Sequence, residues 1–160
     1  MTDLFKKILV PTDNSENAKE AFKCALKLAE KHDSTIHVIS VVNIGYLEEA
    51  GKFESNHFKL PHSYVENIIK EKTKETEEFV RKNTVNYRGG EIARHIRKGH
   101  PVTEIISVAR EKEVDLIVMG THGRSGLSHP FMGSVAERVV RKAPCPVLTV
   151  KSKKLKIKAA

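Results

Sequence analysis

A glycine-bearing segment near the C-terminus has the residue types that bind phosphate. Gly120 and Gly123 enclose two residues, and Gly133 and Ser134 follow after nine more. Glycine has no side chain, so its main-chain N–H group can approach an anion closely, and it allows positive φ where a loop curls. A helix is predicted to begin near Ser134, where unpaired N–H groups and the positive end of the helix dipole favour an anion. The segment therefore predicts a phosphate-binding loop.

Other phosphate-binding motifs do not fit this chain. The Gly51-Lys52 pair is preceded by Tyr46 at the position where a Walker A loop needs glycine, and Phe53 follows it. The dinucleotide motif G-x-G-x-x-G does not occur in the sequence. The segment after the first predicted strand also differs from the Ser-Gly-Gly-x-Asp-Ser loop of ATP pyrophosphatases. These three classes of phosphate-binding protein are therefore excluded.

Individual candidate residues could also have a structural role that involves no ligand. Gly120 and Gly123 could serve only to let a helix pack closely on the sheet. His122 could contact phosphate or be a solvated loop residue, and Arg124 could pair with phosphate or be an ordinary surface arginine. Asp13, which ends the first apolar strand, could cap a helix or contribute to a site. The sequence leaves these alternatives open.

The elements that must position these residues alternate along the chain. Short apolar runs predict strands at 7–10, 36–42, 115–119 and 146–150. A weaker and more polar run predicts an edge strand at 91–97. Helical spacing separates these strands, with Asn14 or Ser15 as the first cap and the turn at 99–101 leading into another helix. Residues 43–62 show no clean period and predict a long, partly ordered excursion. The pattern predicts one α/β domain over residues 1–150, followed by a basic tail at 151–160.

The alternation predicts a parallel, doubly wound, Rossmann-like sheet with right-handed crossovers. A central first strand gives the five-stranded order 3-2-1-4-5. In such a sheet, ligands bind beyond the carboxyl ends of the strands at the switch point, here between strands 1 and 4. Pro11-Thr12-Asp13 and the Gly120–Gly123 loop follow these two strands. The fold thus predicts that both segments meet at one site.

The sequence resembles the ATP-binding branch of the universal stress protein family. The spacing G-x2-G-x9-G-Ser/Thr is similar to the ATP-binding signature of that family. The likeness extends over nearly the whole chain, in segments that read KILVPTD at 7–13, GHP at 99–101, VDLIVMG at 114–120 and APCPVL at 143–148. The resemblance implies a single domain of the adenine nucleotide alpha hydrolase-like fold that binds ATP.

The resemblance also implies a role for each part of the site. Asp13 would hold the ribose, and the main chain near Pro11, Thr12 and Val41 would receive the adenine. The residues that would contact the ribose and phosphates are Gly120, Gly123, Gly133, Ser134 and Val135, and Met119 joins the same cofactor-binding set together with His122 and Arg124. No histidine cluster has the spacing of a protein metal site. Mg²⁺ would instead arrive with the triphosphate, which would supply most of its ligands. The resemblance further implies a homodimer through the last strand, at Val147, Leu148 and Val150.

Composition and charge distribution bear on the partners and the location of the protein. Five lysines lie in the last ten residues, and without them the net charge falls from +8 to +3, which argues against nucleic-acid binding as the main role. Cys24 and Cys145 are interpreted as reduced packing residues of a cytosolic protein. The sequence contains neither a signal-peptide core nor an apolar stretch of the ~20 residues that span a bilayer. These features predict a cytoplasmic protein without a membrane segment.

The predicted function is a regulatory, stress-response ATP-binding module without efficient catalysis. The region of the loop offers histidines, Arg124 and Asp13 but no carboxylate–lysine pair that would suit phosphoryl transfer. Three alternatives are an interaction module of the same fold that does not use nucleotide, a slow ATPase or autokinase, and a nucleic-acid-associated factor that acts through the lysine tail.

Overall fold

Five strands and five helices form the part of the chain that the computed structural model describes, residues 4–51, 59–123 and 132–152. In chain order they are β1 (Lys7–Pro11), α1 (Glu16–His32), β2 (Thr35–Val42), α2 (Ile44–Gly51), α3 (His62–Asn83), β3 (Ile92–Lys98), α4 (Pro101–Glu111), β4 (Leu116–Gly120), α5 (Ser134–Lys142) and β5 (Val147–Val150). Each predicted strand is present to within one residue at either end.

The strands form one parallel sheet in the order β3-β2-β1-β4-β5. This confirms the predicted topology. The chain winds outward from β1 in one direction and then in the other, so β1 and β4 flank the switch point. The polar strand β3 lies at one edge, where the half-exposed side chains of Arg97 and His95 reach solvent.

Alternate side chains of the strands fill two cores, one on each face of the sheet. On one face, Ile8 and Val10 pack beneath α1 and α3, where the rings of Phe22 and Phe79 lie 5.4 Å apart between centroids. On the other face, Leu9 packs with residues of α4 and α5. Full burial of each large aliphatic side chain is worth about 1.5–3 kcal/mol. A sheet buried on both faces therefore holds the ends of β1 and β4 in fixed positions.

The helix α1 begins at the predicted cap. The N–H group of Ala18 donates a hydrogen bond to the Ser15 hydroxyl over 3.2 Å, so Ser15, of the two candidates, is the capping residue. The helix α4 begins at Pro101, as the turn at 99–101 predicts. Cys24 and Cys145 are unpaired and half-buried, and each packs against one of the two cores. Within the described ranges, none of the helices is long and apolar enough to cross a membrane.

The sequence prediction missed the short helix α2, which follows β2 directly. Asn43 starts it, because the Asn43 Oδ1 atom accepts a hydrogen bond from the Tyr46 N–H group over 3.1 Å. Eight residues are too few to show an amphipathic period and too few for a helix that is stable in isolation. The Asn43 cap and the direct connection to β2 stabilise α2 in this protein. In the rest of the predicted excursion up to α3, residues 52–58 lie outside the described residues.

Candidate functional site

A cavity of about 590 Å³ lies beyond the carboxyl ends of β1, β2 and β4. Its volume is within the range of small-molecule sites. Eleven of the twelve predicted site residues line it, namely Pro11, Thr12, Asp13, Val41, Met119, Gly120, His122, Gly123, Gly133, Ser134 and Val135. The twelfth, Arg124, lies outside the described residues, as do His129 and Pro130. Two segments more than 100 residues apart in sequence therefore meet in one cavity.

The first wall of the cavity is the β1 arm, residues 11–15. Side chains fix its shape: the Asn14 N–H group donates to Thr12 Oγ1, and the Ser15 N–H group donates to Asp13 Oδ1, both over 3.0 Å. Asn14 adopts a positive φ of 63°, which asparagine tolerates better than most residues. The arm is anchored to β2 by a 2.8 Å hydrogen bond from the Thr12 N–H group to the Ile39 carbonyl. These bonds hold the half-buried Asp13 carboxylate at the cavity.

The second wall is the β4 arm, which comprises residues 120–123 and 133–135. Main-chain groups fix its shape: the Gly133 N–H group donates to the Thr121 carbonyl over 2.7 Å, and the Thr121 N–H group donates to the Val150 carbonyl over 3.2 Å. The β1 and β4 arms touch, because a Cβ atom built on Gly123 would lie 3.0 Å from Asp13 Oδ2. Gly123 thus lies directly beside the carboxylate.

Close approach, and not a positive φ, explains two of the glycines in the β4 arm. A Cβ atom on Gly120 would lie 3.1 Å from the main chain of Asn17, so this glycine lets α1 pack on β4 whether or not a ligand binds. A Cβ atom on Gly133 would lie 3.1 Å from the Thr121 carbonyl oxygen. Among the described glycines, only Gly99 has a positive φ. Close packing of a helix on the sheet, which the sequence analysis left open as a role for Gly120, therefore applies to this glycine.

The start of α5 presents an electropositive end to the cavity. Gly133 is its cap and makes no side-chain cap hydrogen bond. Ser134, Val135 and Ala136 follow and line the cavity, so the N–H groups of this turn and the helix dipole favour an anion there. The described lining residues include neither lysine nor arginine. Attraction for an anion would therefore come from the main chain.

The opposite part of the cavity is apolar. Side chains from β2, α4 and β4 form it, namely Ile39, Val41, Pro101, Ile105 and Met119. We call these five residues the apolar half of the cavity. Four of them belong to β2 and α4 and lie on the β2 side of β1, because the Gly99 N–H group donates to the Val42 carbonyl and brings the start of α4 beside the end of β2. Met119, from β4, closes this part of the cavity on the other side of β1. The first turn of α5 lies on the β4 side.

The main chain of Val41 offers hydrogen-bonding groups to this apolar half. Odd-numbered residues of β2 pair toward β1, as shown by the hydrogen bonds from Thr35 N–H to the Lys6 carbonyl and from Thr12 N–H to the Ile39 carbonyl. The paired register of β1 and β2 ends at Pro11 and Ile39. Val41 is the next odd-numbered residue, so its N–H and carbonyl groups point past the end of β1 into the cavity.

Sequence reasoning missed eight lining residues, namely Ala18, Ile39, Asn43, Tyr46, Pro101, Ile105, Thr121 and Ala136. Some could have been found from the alternation of the strand, because Ile39 lies two residues before Val41 on the same face. Pro101 begins the helix after β3, whose end adjoins that of β2. The pattern contains no signal for Tyr46, since its position depends on α2.

A histidine pair lies outside the cavity, on the α4 side of the sheet. His37 Nδ1 and His95 Nε2 are 3.0 Å apart. Burial is the largest cause that lowers the pKa of both imidazoles below the ordinary value of 6.5. The next cause is the neighbouring His95 for the pKa of His37 and the charge of Lys112 for the pKa of His95. Among the residues with described side chains, no three histidine, cysteine or acidic residues cluster as a metal site would require.

The fold and the cavity together define a doubly wound α/β protein with a ligand site at its topological switch point. The sequence model of the universal stress protein family matches residues 4–151. The chain therefore belongs to the universal stress protein family.

Individual relatives agree with this assignment. Universal stress protein MJ0531 of Methanocaldococcus jannaschii is 37% identical over 155 residues, which are 95% of this chain and 85% of the relative. The solved structure of MJ0577, from the same organism, has a TM-score of 0.75 at 31% identity and covers 94% of this chain and 99% of its own. A universal stress protein of Archaeoglobus fulgidus was solved in complex with dAMP; at 22% identity, a TM-score of 0.60, and 92% and 99% coverage, its likeness shows the fold.

Proposed function

We propose that this universal stress protein binds ATP in the switch-point cavity and acts as a regulatory module. The observation that carries the proposal is the division of one cavity into an apolar half beside the Val41 main chain and a helix start on the β4 side. A nucleotide has the same division, with a flat base at one end and phosphates at the other. The dAMP complex of the Archaeoglobus fulgidus protein shows that this fold can hold an adenine nucleotide.

The base would occupy the apolar half. Adenine presents an acceptor, N1, next to a donor, the N6 amino group. The N–H and carbonyl groups of Val41 match this pair, with the main chain of Pro11 and Thr12 on the other side. Guanine has a donor and an acceptor in the opposite order along the same edge. The arrangement therefore favours adenine over guanine.

The ribose would bind to Asp13. The capping role that the sequence left open belongs to Ser15, and Asp13 instead uses Oδ1 to accept one hydrogen bond from the Ser15 N–H group. A carboxylate has about four acceptor positions, so it can also accept hydrogen bonds from ribose hydroxyls. Its location between the apolar half and the β4 arm suits the middle part of a nucleotide.

The phosphates would bind to the β4 arm, with donors from the main chain of Gly120, Gly123 and Val135 and from the Ser134 hydroxyl. The Gly133 N–H group already donates to the Thr121 carbonyl, so Gly133 would shape the arm and let a phosphate approach it closely. Each charge-assisted hydrogen bond contributes about 1.5–3 kcal/mol. Several of them, with burial of the base, suffice for a binding free energy of about −8 kcal/mol after the cost of association, which corresponds to a micromolar Kd. Mg²⁺ would arrive with the triphosphate, whose oxygens supply most of its ligands.

Binding without efficient turnover fits the chemistry of the cavity. Phosphoryl transfer needs a base or water-orienting group and cations at the γ-phosphate. Asp13 is the one carboxylate among the described lining residues, and its proposed place is at the ribose. We therefore propose a regulatory and not a catalytic role. Release of inorganic phosphate from ATP by the pure protein, at a rate above that of an Asp13→Ala variant, would instead support a slow ATPase.

A homodimer through β5 completes the proposal. This strand is an edge of the sheet, and edges need a partner or protection. Val147 and Val150 pack partly against the two cores, while Leu148 is 38% exposed. Light scattering tests this interface: Leu148→Lys should give monomers, and Val85→Lys, at an exposed site elsewhere, should leave the wild-type mass. A monomeric wild-type protein would contradict it.

The test of nucleotide binding uses the purified full chain. Denaturation and mass analysis should release an adenine nucleotide, and calorimetry on the stripped protein should give a Kd for ATP in the micromolar range and a weaker one for GTP. A protein that ignores ATP at millimolar concentration would refute the proposal and favour the interaction module. The cytoplasm, where ATP is abundant, is the proposed location.

A further inference from the structure

Tyr46 is the one phenylalanine, tyrosine or tryptophan among the described residues that line the cavity. It lies in the first turn of α2, which Asn43 attaches to the end of β2. The Asn43 side chain accepts a hydrogen bond from the Tyr46 N–H group over 3.1 Å, and the Asn43 carbonyl accepts one from Leu47 over 3.3 Å. Asn43 lines the cavity as well. The main chain that carries Tyr46 is therefore fixed relative to the site.

The side chain of Tyr46 is not covered by the rest of the protein. The residue is 69% exposed, although a buried aromatic ring contributes more apolar area than almost any other side chain. Tyr64 is also exposed, at 51%, but it belongs to α3 and does not line the cavity. An exposed ring at the border of a cavity offers its face to an occupant.

The topology determines which part of a nucleotide this ring can reach. The helix α2 begins after β2, beside the start of α4 and the apolar half of the cavity. The helix α5, whose start would hold the phosphates, lies on the other side of β1. Tyr46 is therefore on the side proposed for the base.

We propose that Tyr46 is a specificity-determining residue whose ring covers the nucleobase. This inference rests on the proposed binding of ATP and adds a contact from α2. Tyr46 would stabilise a ligand that has a flat aromatic base, and it would contribute nothing to the binding of phosphate groups. It would thereby select nucleotides over free polyphosphates, which the main chain of the β4 arm cannot do alone.

Fluorescence provides the direct test, because the chain contains no tryptophan. In the Tyr46→Trp variant, the new indole should be quenched by ATP and unaffected by inorganic tripolyphosphate. Tyr64→Trp is the matched control and should respond to neither compound. An indole at position 46 that does not respond to saturating ATP would overturn the contact.

Affinity provides the second test. Calorimetry should show that Tyr46→Ala binds ATP about tenfold more weakly than wild type, the size typical of a lost base–aromatic contact, while Tyr46→Phe stays within about twofold. Wild-type protein that binds ATP while Tyr46→Ala binds it equally well would refute the role of Tyr46 and leave the proposed function intact. Failure of the wild-type protein to bind ATP would refute both.

Discussion

The β1 arm and the β4 arm form one cavity by different means. In the β1 arm, side chains of Thr12 and Asp13 accept hydrogen bonds from the main chain and fix a tight turn. In the β4 arm, carbonyl and N–H groups of the main chain bond to each other, and glycines allow the close approach. The first arm therefore offers a side-chain carboxylate, and the second offers main-chain amides.

This difference predicts how substitutions act. A changed side chain in the β1 arm removes a particular contact and leaves the main chain nearly in place. A side chain added to the β4 arm moves the main chain, which affects several contacts together. Substitutions in the β4 arm should thus have the larger effects on ligand affinity.

The largest effect is expected for Gly133→Val. Its Cβ atom would lie 3.1 Å from the Thr121 carbonyl oxygen, and the two further methyl groups would enter the space of the phosphates. We expect ATP affinity to fall about 100-fold or more, the equivalent of one or two charge-assisted hydrogen bonds, with a modest loss of stability.

Calorimetry and thermal unfolding measure these two effects. Gly45→Val is the control, because a Cβ atom there would have only an ordinary contact of 3.7 Å with Asn43 Oδ1. Unchanged affinity in Gly133→Val would mean that the β4 arm is not the phosphate site.

A smaller effect, about tenfold on ATP affinity, is expected for Asp13→Asn. The asparagine oxygen can still accept the hydrogen bond from the Ser15 N–H group, so the turn persists. The charge-assisted hydrogen bonds to the ribose are weakened or lost. Titration with ATP tests this prediction, and Glu16→Gln, at an exposed acid in the first turn of α1, should bind as wild type does. Equal affinities for all three proteins would exclude Asp13 from the site.

Ser15→Ala should affect stability and have little effect on binding. The hydroxyl caps α1 and does not line the cavity, so its loss should cost about 1 kcal/mol, or roughly 2–4 °C in the unfolding midpoint. ATP affinity should change by less than about threefold. Ser15→Thr, which keeps a hydroxyl, should restore most of the stability. A large loss of affinity would show that the shape of the β1 arm depends on this cap.

The smallest effect concerns a region remote from both arms, the histidine pair of β2 and β3. The pKa values of His37 and His95 are lowered in the folded protein, mainly by burial. Their contribution to stability is therefore fully present above the unfolded value of about 6.5 and is lost as the pH falls toward the lowered values.

Thermal unfolding between pH 7.5 and pH 5 measures this loss, since carboxylates titrate mainly at lower pH. The surrounding charges, on Lys7, Lys112 and Arg97, oppose protonation, while those of Glu91 and Glu111 favour it. His95→Gln should reduce the decrease in the unfolding midpoint and leave ATP affinity unchanged at pH 7.5. An identical decrease in the variant would assign the pH dependence to other groups.

The sequence predicted the arms better than it predicted the rest of the cavity. Apolar runs located β1 and β4 to within one residue, and the switch-point rule then brought the residues after them together. The lining residues Ile105 and Ala136, which both belong to helices, were missed. Whether such a residue packs in the core or borders a cavity depends on how its helix is placed on the sheet.

Alternation of apolar runs, turn residues and glycine spacing determined the sheet order and the meeting of Asp13 with the β4 arm, and they restricted the first cap to Asn14 or Ser15. These features are local, or follow from the handedness of crossovers, so they can be inferred from neighbouring residues. The tertiary structure alone decided that α2 follows β2 and that Tyr46 borders the cavity. An eight-residue helix has too little intrinsic stability and too short a pattern to be recognised, and its existence depends on the strand and the cap that hold it.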